Sequence, residues 1–258
     1  MSGDLAAQAA SSGDLAALVA EARRSASLAV VEGFHALKHA LRFGAEIVDA
    51  VTDDAEAVRH LAARLAPDIA EAAARRLRQV PAAALRGLLP ESNGPAVLVV
   101  ARRPTVDLPG LLAGGGAPLV FLERPTHLGN LGAVIRTAAA AGAAGVLAGG
   151  IHDPWHPHAI RGAAGLHFAL PVARVDALPA GPRPLVAVDP QGEPLAPGLV
   201  PQDACLAFGT ERDGLSAELL ARARRRVAIP MRAGVSSLNL AASVAIVLYA
   251  TVIARPAA

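Results

Sequence analysis

Six short apolar segments constrain most strongly what this chain can fold into. They are PLVFLE (118–123), GVLAGG (145–150), LHFALPV (166–172), PLVAVDP (184–190), ACLAFG (204–209) and RVAIPM (226–231), separated by stretches of helical or loop character. A strand exposed on one face alternates apolar with polar residues. Runs that are apolar at nearly every position specify a parallel sheet covered by helices on both faces. The second half is therefore expected to be an α/β domain.

The first half shows a looser alternation of the same kind. SLAVVEG (27–33) reads as a strand, FHALKHALRFG (34–44) as a helix closed by Gly44, AEIVDAVTD (45–53) as a strand and DAEAVRHLAARLA (54–66) as a helix. Acids in the first turn of that last helix favour its dipole. RLRQV, PAAALRGLL and AVLVVARR continue the pattern. Residues 103–117, RPTVDLPGLLAGGGA, are rich in proline and glycine and read as a connection. The expected organisation is a helical or partly disordered leader at 1–27, a small α/β domain at 28–103, a linker at 104–117 and the parallel-sheet domain at 118–258.

Hydrophobic residues make up 53% of the chain and aromatic residues only 3%, so the core must be aliphatic. The mean hydropathy of +0.41 raises the question of a membrane span. The longest uncharged apolar stretch, 238–254, is 17 residues (254 − 238 + 1) and includes Asn239 and Ser243. A spanning helix needs about 20 mostly apolar residues, so no span is expected. The first residues carry acids and no basic start, unlike a secretion signal. The lone cysteine, Cys205, excludes an internal disulfide framework. A cytoplasmic location is the expectation.

Of the 24 basic residues, all but Lys38 are arginine, the residue suited to bidentate phosphate contacts. Residues 1–106 carry 12 basic and 12 acidic groups; residues 107–258 carry 12 and 10. Six arginines between 75 and 103, among them Arg75, Arg76 and Arg78, face one acid, Glu91. They form either a phosphate-facing patch or a solvated rim, and charge alone favours the rim.

Ligands of open α/β sheets bind beyond the carboxyl ends of the strands. Three such ends run into unusual loops: RPTHLGNLGAVIRTA after PLVFLE, TERDGLS after ACLAFG, and RAGVSSLNLAAS after RVAIPM. Arg136 stands in an otherwise small and apolar helix, so its charge must reach solvent, a carboxylate or an anion. Asn130 reads as a helix cap or a ligand contact. Glu211 either pairs with Arg136 or is exposed. Ser237 and Asn239 read as caps of the last helix, with Asn239 needing a partner if it lies inside the helix. The glycine spacing after Gly129 fails a dinucleotide fingerprint, because Leu131 and Val134 stand where glycines belong. His152, Asp153, His156 and His158 suggest a metal cluster, but Pro154 and Pro157 make that segment a loop, and no metal is expected.

Taken in order, GNLGAVIRTA, FGTERDGLS and IPMRAGVSSLNLAASVAIVLY resemble the three signature motifs of the SpoU (TrmH-like) RNA 2′-O-ribose methyltransferases of the SPOUT superfamily. HDPWHPHAIRGAAGLHFALPV resembles the family's segment between the first two motifs, and the resemblance covers roughly 118–253. VVEGFHALKHALRFGAEI to AVLVVARRP is similar to the small ribosomal-protein-like RNA-binding domain of many members. The resemblance implies an α/β domain with a deep trefoil knot, S-adenosylmethionine as cofactor, a homodimer, and RNA as substrate, with rRNA favoured over tRNA.

It places the catalytic set on Asn130, Arg136, Glu211, Ser237 and Asn239. It lines the cofactor site with Gly209, Gly214, Leu215, Ile229, Met231 and Leu238. Arg161 matches an arginine of the intervening segment, which with Arg75, Arg76 and Arg78 would contact RNA. Ala163 stands where a serine is common, so no hydroxyl is supplied there.

Overall fold

The computed structural model describes residues 12–89, 94–210 and 213–253. The chain forms two compact units. The first opens with α1 (Ser12–Arg24), β1 (Leu28–Glu32), α2 (Phe34–Arg42), β2 (Ile47–Thr52) and α3 (Ala55–Leu65). It continues through α4 (Ala70–Arg76), the short β3 (Arg78–Gln79), α5 (Ala82–Leu85) and β4 (Val97–Arg102). The strands align in the order β1-β4-β2-β3, with β4 antiparallel to both neighbours.

β4 is central because VLVVA is buried at every position. α1 is part of this core rather than a detached leader. Leu15, Val19 and Ala22, spaced to share one helical face, pack on Leu28, Val30, Leu98 and Val100. The part of the expected leader before Ser12 lies outside the described residues. Gly44 does close α2: with φ +71 it lets its own N–H reach Leu41 O at 3.2 Å and that of Ala45 reach Ala40 O at 2.8 Å. That is the paired arrangement that satisfies the last carbonyls of a helix.

The chain leaves the first unit after Thr105. The segment expected as a bare linker contains α6 (Leu108–Ala113), whose first turn is capped by the Asp107 side chain on Gly110 N. Pro109 does not break it, because at the start of a helix proline forfeits no intrahelical hydrogen bond. β5 (Leu119–Leu122), α7 (Leu128–Ala140) and β6 (Gly145–Ala148) follow in the second unit.

Trp155–Ala169 then belongs to the first unit, although its sequence sits within the second half. It carries α8 (Pro157–Gly162) and a 3-10 turn at Leu166–Phe168, where a strand was expected. Gly165, at φ +75, fits against α2 so closely that a Cβ there would lie 2.7 Å from Ala36 O. Glycine is required on both counts.

The chain returns to the second unit as β7 (Val172–Arg174), β8 (Leu185–Pro194), β9 (Cys205–Phe208), α9 (Ala217–Arg222), β10 (Arg225–Ala228) and α10 (Leu240–Ile253). Its six strands run β10-β8-β9-β5-β6-β7, and every neighbouring pair is parallel. All four residues of β5, β6 and β9 are buried, as the apolar runs demanded. Each large aliphatic or aromatic side chain there contributes about 2 kcal/mol by burial. Because the strands are parallel, their carboxyl ends all meet one edge, and α7 and α10 pack together in this unit.

Candidate active site

At that edge the turn after β9 is folded back on itself. Thr210 and Gly214 exchange backbone hydrogen bonds of 3.2 and 3.1 Å, and Asp213 N donates to Thr210 Oγ1 at 2.9 Å. Gly209 faces this loop so tightly that a Cβ would stand 2.0 Å from Gly214 C. Gly214 itself needs its φ of +66. Glu211 lies outside the described residues.

The loop borders a cleft of about 200 Å³. Gly209, Gly214, Ile229, Met231 and Leu238 line it, and so does Ser237 of the expected catalytic set. Leu215 does not line it; it is buried in the core beneath, against Leu219 and Ala207. Thr210, Ser236, Ser243 and Asp189 also line the cleft. Asp189 is the one charged side chain among the described lining residues. It went unnoticed although the rule that exposed the other three loops applies to it: it is the first polar residue of PLVAVDP, toward the carboxyl end of an apolar run. Its Oδ1 accepts from Gln191 N at 2.8 Å, and the second carboxylate oxygen can take a ligand.

Next to this cleft Asn239 caps α10. Its Oδ1 accepts from Ala241 N at 2.9 Å and Ala242 N at 3.3 Å, so it precedes the helix instead of sitting inside it. The partner it needed is Asn130, whose Oδ1 accepts from Asn239 Nδ2 at 3.1 Å. Asn130 is not a cap; it is the third residue of α7, where His127 holds the cap position without a side-chain bond. Ser237 is exposed, lines the cleft and caps nothing. Arg136 is exposed on α7 and does not line the cleft.

Other sequence candidates lie elsewhere. In the first unit Arg161 pairs with Glu32, as does Arg23 at 3.7 Å. Arg75 pairs with Glu71, and Arg78 with Asp49 at 2.9 Å, while Arg76 is exposed. His156 Nδ1 accepts from His158 N at 3.1 Å and thereby caps α8. Trp155 is buried against His167 and Phe168. His152 and Asp153 belong to the second unit. No group of three potential ligands able to hold a metal exists among the described residues. Burial pushes the Cys205 thiol up to about 12, against the pull of Arg183 and Arg222, which denies it nucleophilic character near neutrality.

With this geometry established, the chain compares closely with known proteins. The family described as "SpoU rRNA Methylase family" matches residues 117–249. An uncharacterized tRNA/rRNA methyltransferase of Synechocystis is 36% identical over 139 residues, 50% of this chain and 51% of that protein. The 23S rRNA (uridine(2479)-2′-O)-methyltransferase of Streptomyces viridochromogenes is 33% identical over 172 residues, 61% of this chain and 60% of that protein. The chain thus spans between half and two thirds of these relatives' length. Among solved structures, the SpoU methyltransferase AviRb from Streptomyces viridochromogenes, in complex with AdoMet, superposes with a TM-score of 0.71 at 26% identity, covering 88% of this chain and 90% of that one. An α/β unit with an all-parallel sheet, the loops at its carboxyl edge and a family match over more than half the sequence agree: the chain belongs to the SpoU rRNA methylase family.

Proposed function

We propose that this protein transfers a methyl group from S-adenosylmethionine to a ribose 2′-hydroxyl of RNA, with ribosomal RNA as substrate. The observation that carries the reading is the placement of the Asn130–Asn239 pair beside a cleft lined by Gly209, Ile229, Met231 and Leu238. The cleft suits the cofactor by its chemistry. Phe208, Ile229 and Leu238 offer apolar surface to an adenosyl group, and Asp189 is a carboxylate for its hydroxyl, ammonium or sulfonium groups. Bound there, S-adenosylmethionine supplies a methyl group on a positively charged sulfur.

The chain's own residues then have two tasks, holding the hydroxyl in line and managing one proton. Ser237 and the Asn130–Asn239 pair orient the ribose. Arg136 holds the adjacent phosphate through its planar guanidinium and stabilises negative charge growing on the 2′-oxygen. Arginine does not give up its proton near neutral pH, so it is not the base. A phosphate oxygen or water takes the hydroxyl proton as the new O–C bond forms and the S–C bond breaks. Glu211 is assigned to fixing Arg136.

Arg136 is exposed and absent from the cleft of its own chain, which supports a homodimer completing the site. α10 supports the same reading: Ile246, Tyr249 and Ile253 leave one side of an apolar helix exposed. In the first unit, exposed Arg75, Arg76, Arg78 and Arg161 are assigned to RNA phosphates. Relatives named for uridine, adenosine and guanosine in 23S rRNA support an rRNA substrate while leaving the base open. No helix among the described residues is long and apolar enough to cross a membrane; a cytoplasmic location belongs to the proposal, since ribosomal RNA is its substrate.

Labelled S-adenosylmethionine incubated with total rRNA and total tRNA tests the proposal, with Arg136→Ala as control. Label on a 2′-oxygen of rRNA, lost in the variant, is the expected result. Label in tRNA alone would replace the substrate, and no transfer to either pool from unmodified RNA would sink the reading.

A further inference from the structure

The opposite edge of the parallel sheet carries a recess that methyl transfer does not use. Leu185 and Cys205, the first residues of β8 and β9, form part of a cavity of about 390 Å³ whose other lining residues include Arg183, Arg222 and Arg224. No acid lines it.

Arg183 is the unusual member. It is only 8% exposed, a full charge withdrawn from water. Its Nε donates to Leu111 O at 2.9 Å, and its Nη1 donates to Ala117 O at 2.8 Å and Asp203 O at 3.0 Å. These carbonyls occupy donors without neutralising the charge, and they are its hydrogen-bond partners among the described residues; no carboxylate is one of them. A buried cation in that state gains strongly from an anion. The Nη2 group is left over from this bonding.

The rest of the recess is built to the same end. Arg222 Nη2 donates to Leu178 O at 3.0 Å and Pro179 O at 3.3 Å, which fixes its guanidinium at the cavity. Its acid neighbour is Glu218, 3.8 Å away. Arg224 is exposed and enters no ion pair among the described residues. The wall between Leu178 and Leu185 contains Pro179, Pro182 and Pro184, which restrict the backbone and hold the opening in shape.

We propose that this recess is a phosphate-binding site, with Arg183 supplying charge from its base and Arg222 and Arg224 closing on the oxygens. Three guanidiniums against one ligand favour a phosphate over a singly charged carboxylate. A phosphodiester of bound RNA and free inorganic phosphate share this chemistry. The site does not depend on the methyl-transfer reading, since it lies at the other ends of the strands.

The test is thermal unfolding of the full chain in inorganic phosphate against sodium chloride at equal ionic strength. Phosphate should raise the melting temperature of the unmodified protein, and Arg222→Ser/Arg224→Ser should weaken phosphate affinity at least tenfold. Because Arg222 also tethers Leu178, Arg224→Ser alone serves as a second variant that leaves every described contact of the fold intact. No phosphate-specific shift in the unmodified protein, or a full shift in the double variant, would overturn the site. RNA affinity measured against salt then identifies the source. A shallower dependence in Arg224→Ser, by about one ion, assigns the site to an RNA phosphate. An unchanged dependence with a lost phosphate response assigns it to a free anion.

Discussion

Asn239 Nδ2 donates to Asn130 Oδ1 across 3.1 Å, a bond between residues 109 positions apart. The orientation of the Asn239 amide is set by its other end, because Oδ1 accepts two backbone N–H groups of α10. One side chain therefore both starts a helix and fixes a neighbour on α7. Replacement by serine should keep the cap and lose the bridge; replacement by alanine should lose both. Asn239→Ala is expected to cost about 1 kcal/mol in urea denaturation, and Asn239→Ser a few tenths. Methyl transfer should fall at least tenfold in each. Normal turnover in Asn239→Ser would separate the bridge from catalysis.

Arg136 is exposed, so its removal should leave stability within about 0.5 kcal/mol. Turnover of Arg136→Ala should fall roughly a hundredfold, the scale for losing one donor to a developing oxyanion, while S-adenosylmethionine affinity stays unchanged. Arg136→Lys should recover little, since an ammonium cannot make the planar two-point contact. Single-turnover rates alongside calorimetric titration of the cofactor check both halves.

Gly209 allows no side chain, since a Cβ would stand 2.0 Å from Gly214 C. Gly209→Ala should open the Thr210–Gly214 turn and lower cofactor affinity by more than tenfold. Thermal unfolding with and without S-adenosylmethionine will show it as a lost ligand-induced shift. Gly214→Ala meets open space but must adopt φ +66, and should lose less.

His39 links acidity to the first unit. Burial holds its imidazole below the ordinary 6.5; the bond to Ala164 O opposes this, and Lys38, Arg42 and His35 add to the lowering. The folded chain thus binds a proton here less readily than the unfolded chain. The corresponding stability is present above pH 6.5 and is lost as pH falls through the folded value. His39→Gln should flatten the decline in denaturation midpoint below pH 6.5. A decline of unchanged slope would clear His39 of the effect.

Tyr249 and Ile246 are exposed on α10, three residues apart. On the proposed homodimer, Tyr249→Glu should weaken self-association and lower turnover with it, while thermal unfolding of the single chain changes little. Sedimentation velocity across a concentration series measures the first effect.

The parallel sheet was legible because burial on both faces writes itself as unbroken apolar runs, and five of the six runs cover all or most of a strand. The exception, LHFALPV, is apolar because Phe168 and Leu170 are buried; only its final valine starts β7. Burial alone does not distinguish a turn in a core from a strand. Of the two positions open to Asn239, cap or first turn, the cap is the one it takes, and Ser237, equally eligible by sequence, is not the cap, since the two choices differ only by where α10 begins. Asp189 carries only a faint signal, a single carboxylate within an apolar run, and nothing local places it beside the loops after β9 and β10. That residues 155–169 pack in the first unit has no local signature. Gly165 looks like any loop glycine until Ala36 is seen beside it.

The path of those fifteen residues has a genetic consequence. The first unit is assembled from two separate stretches of the chain, so no single cut in the reading frame releases it whole. A fragment ending at Thr105 would lack α8 and the Trp155 cluster that packs with Phe168. Exchange of this unit between relatives by one recombination event would therefore transplant an incomplete fold. Its surface can diversify by point substitution far more readily than by wholesale replacement.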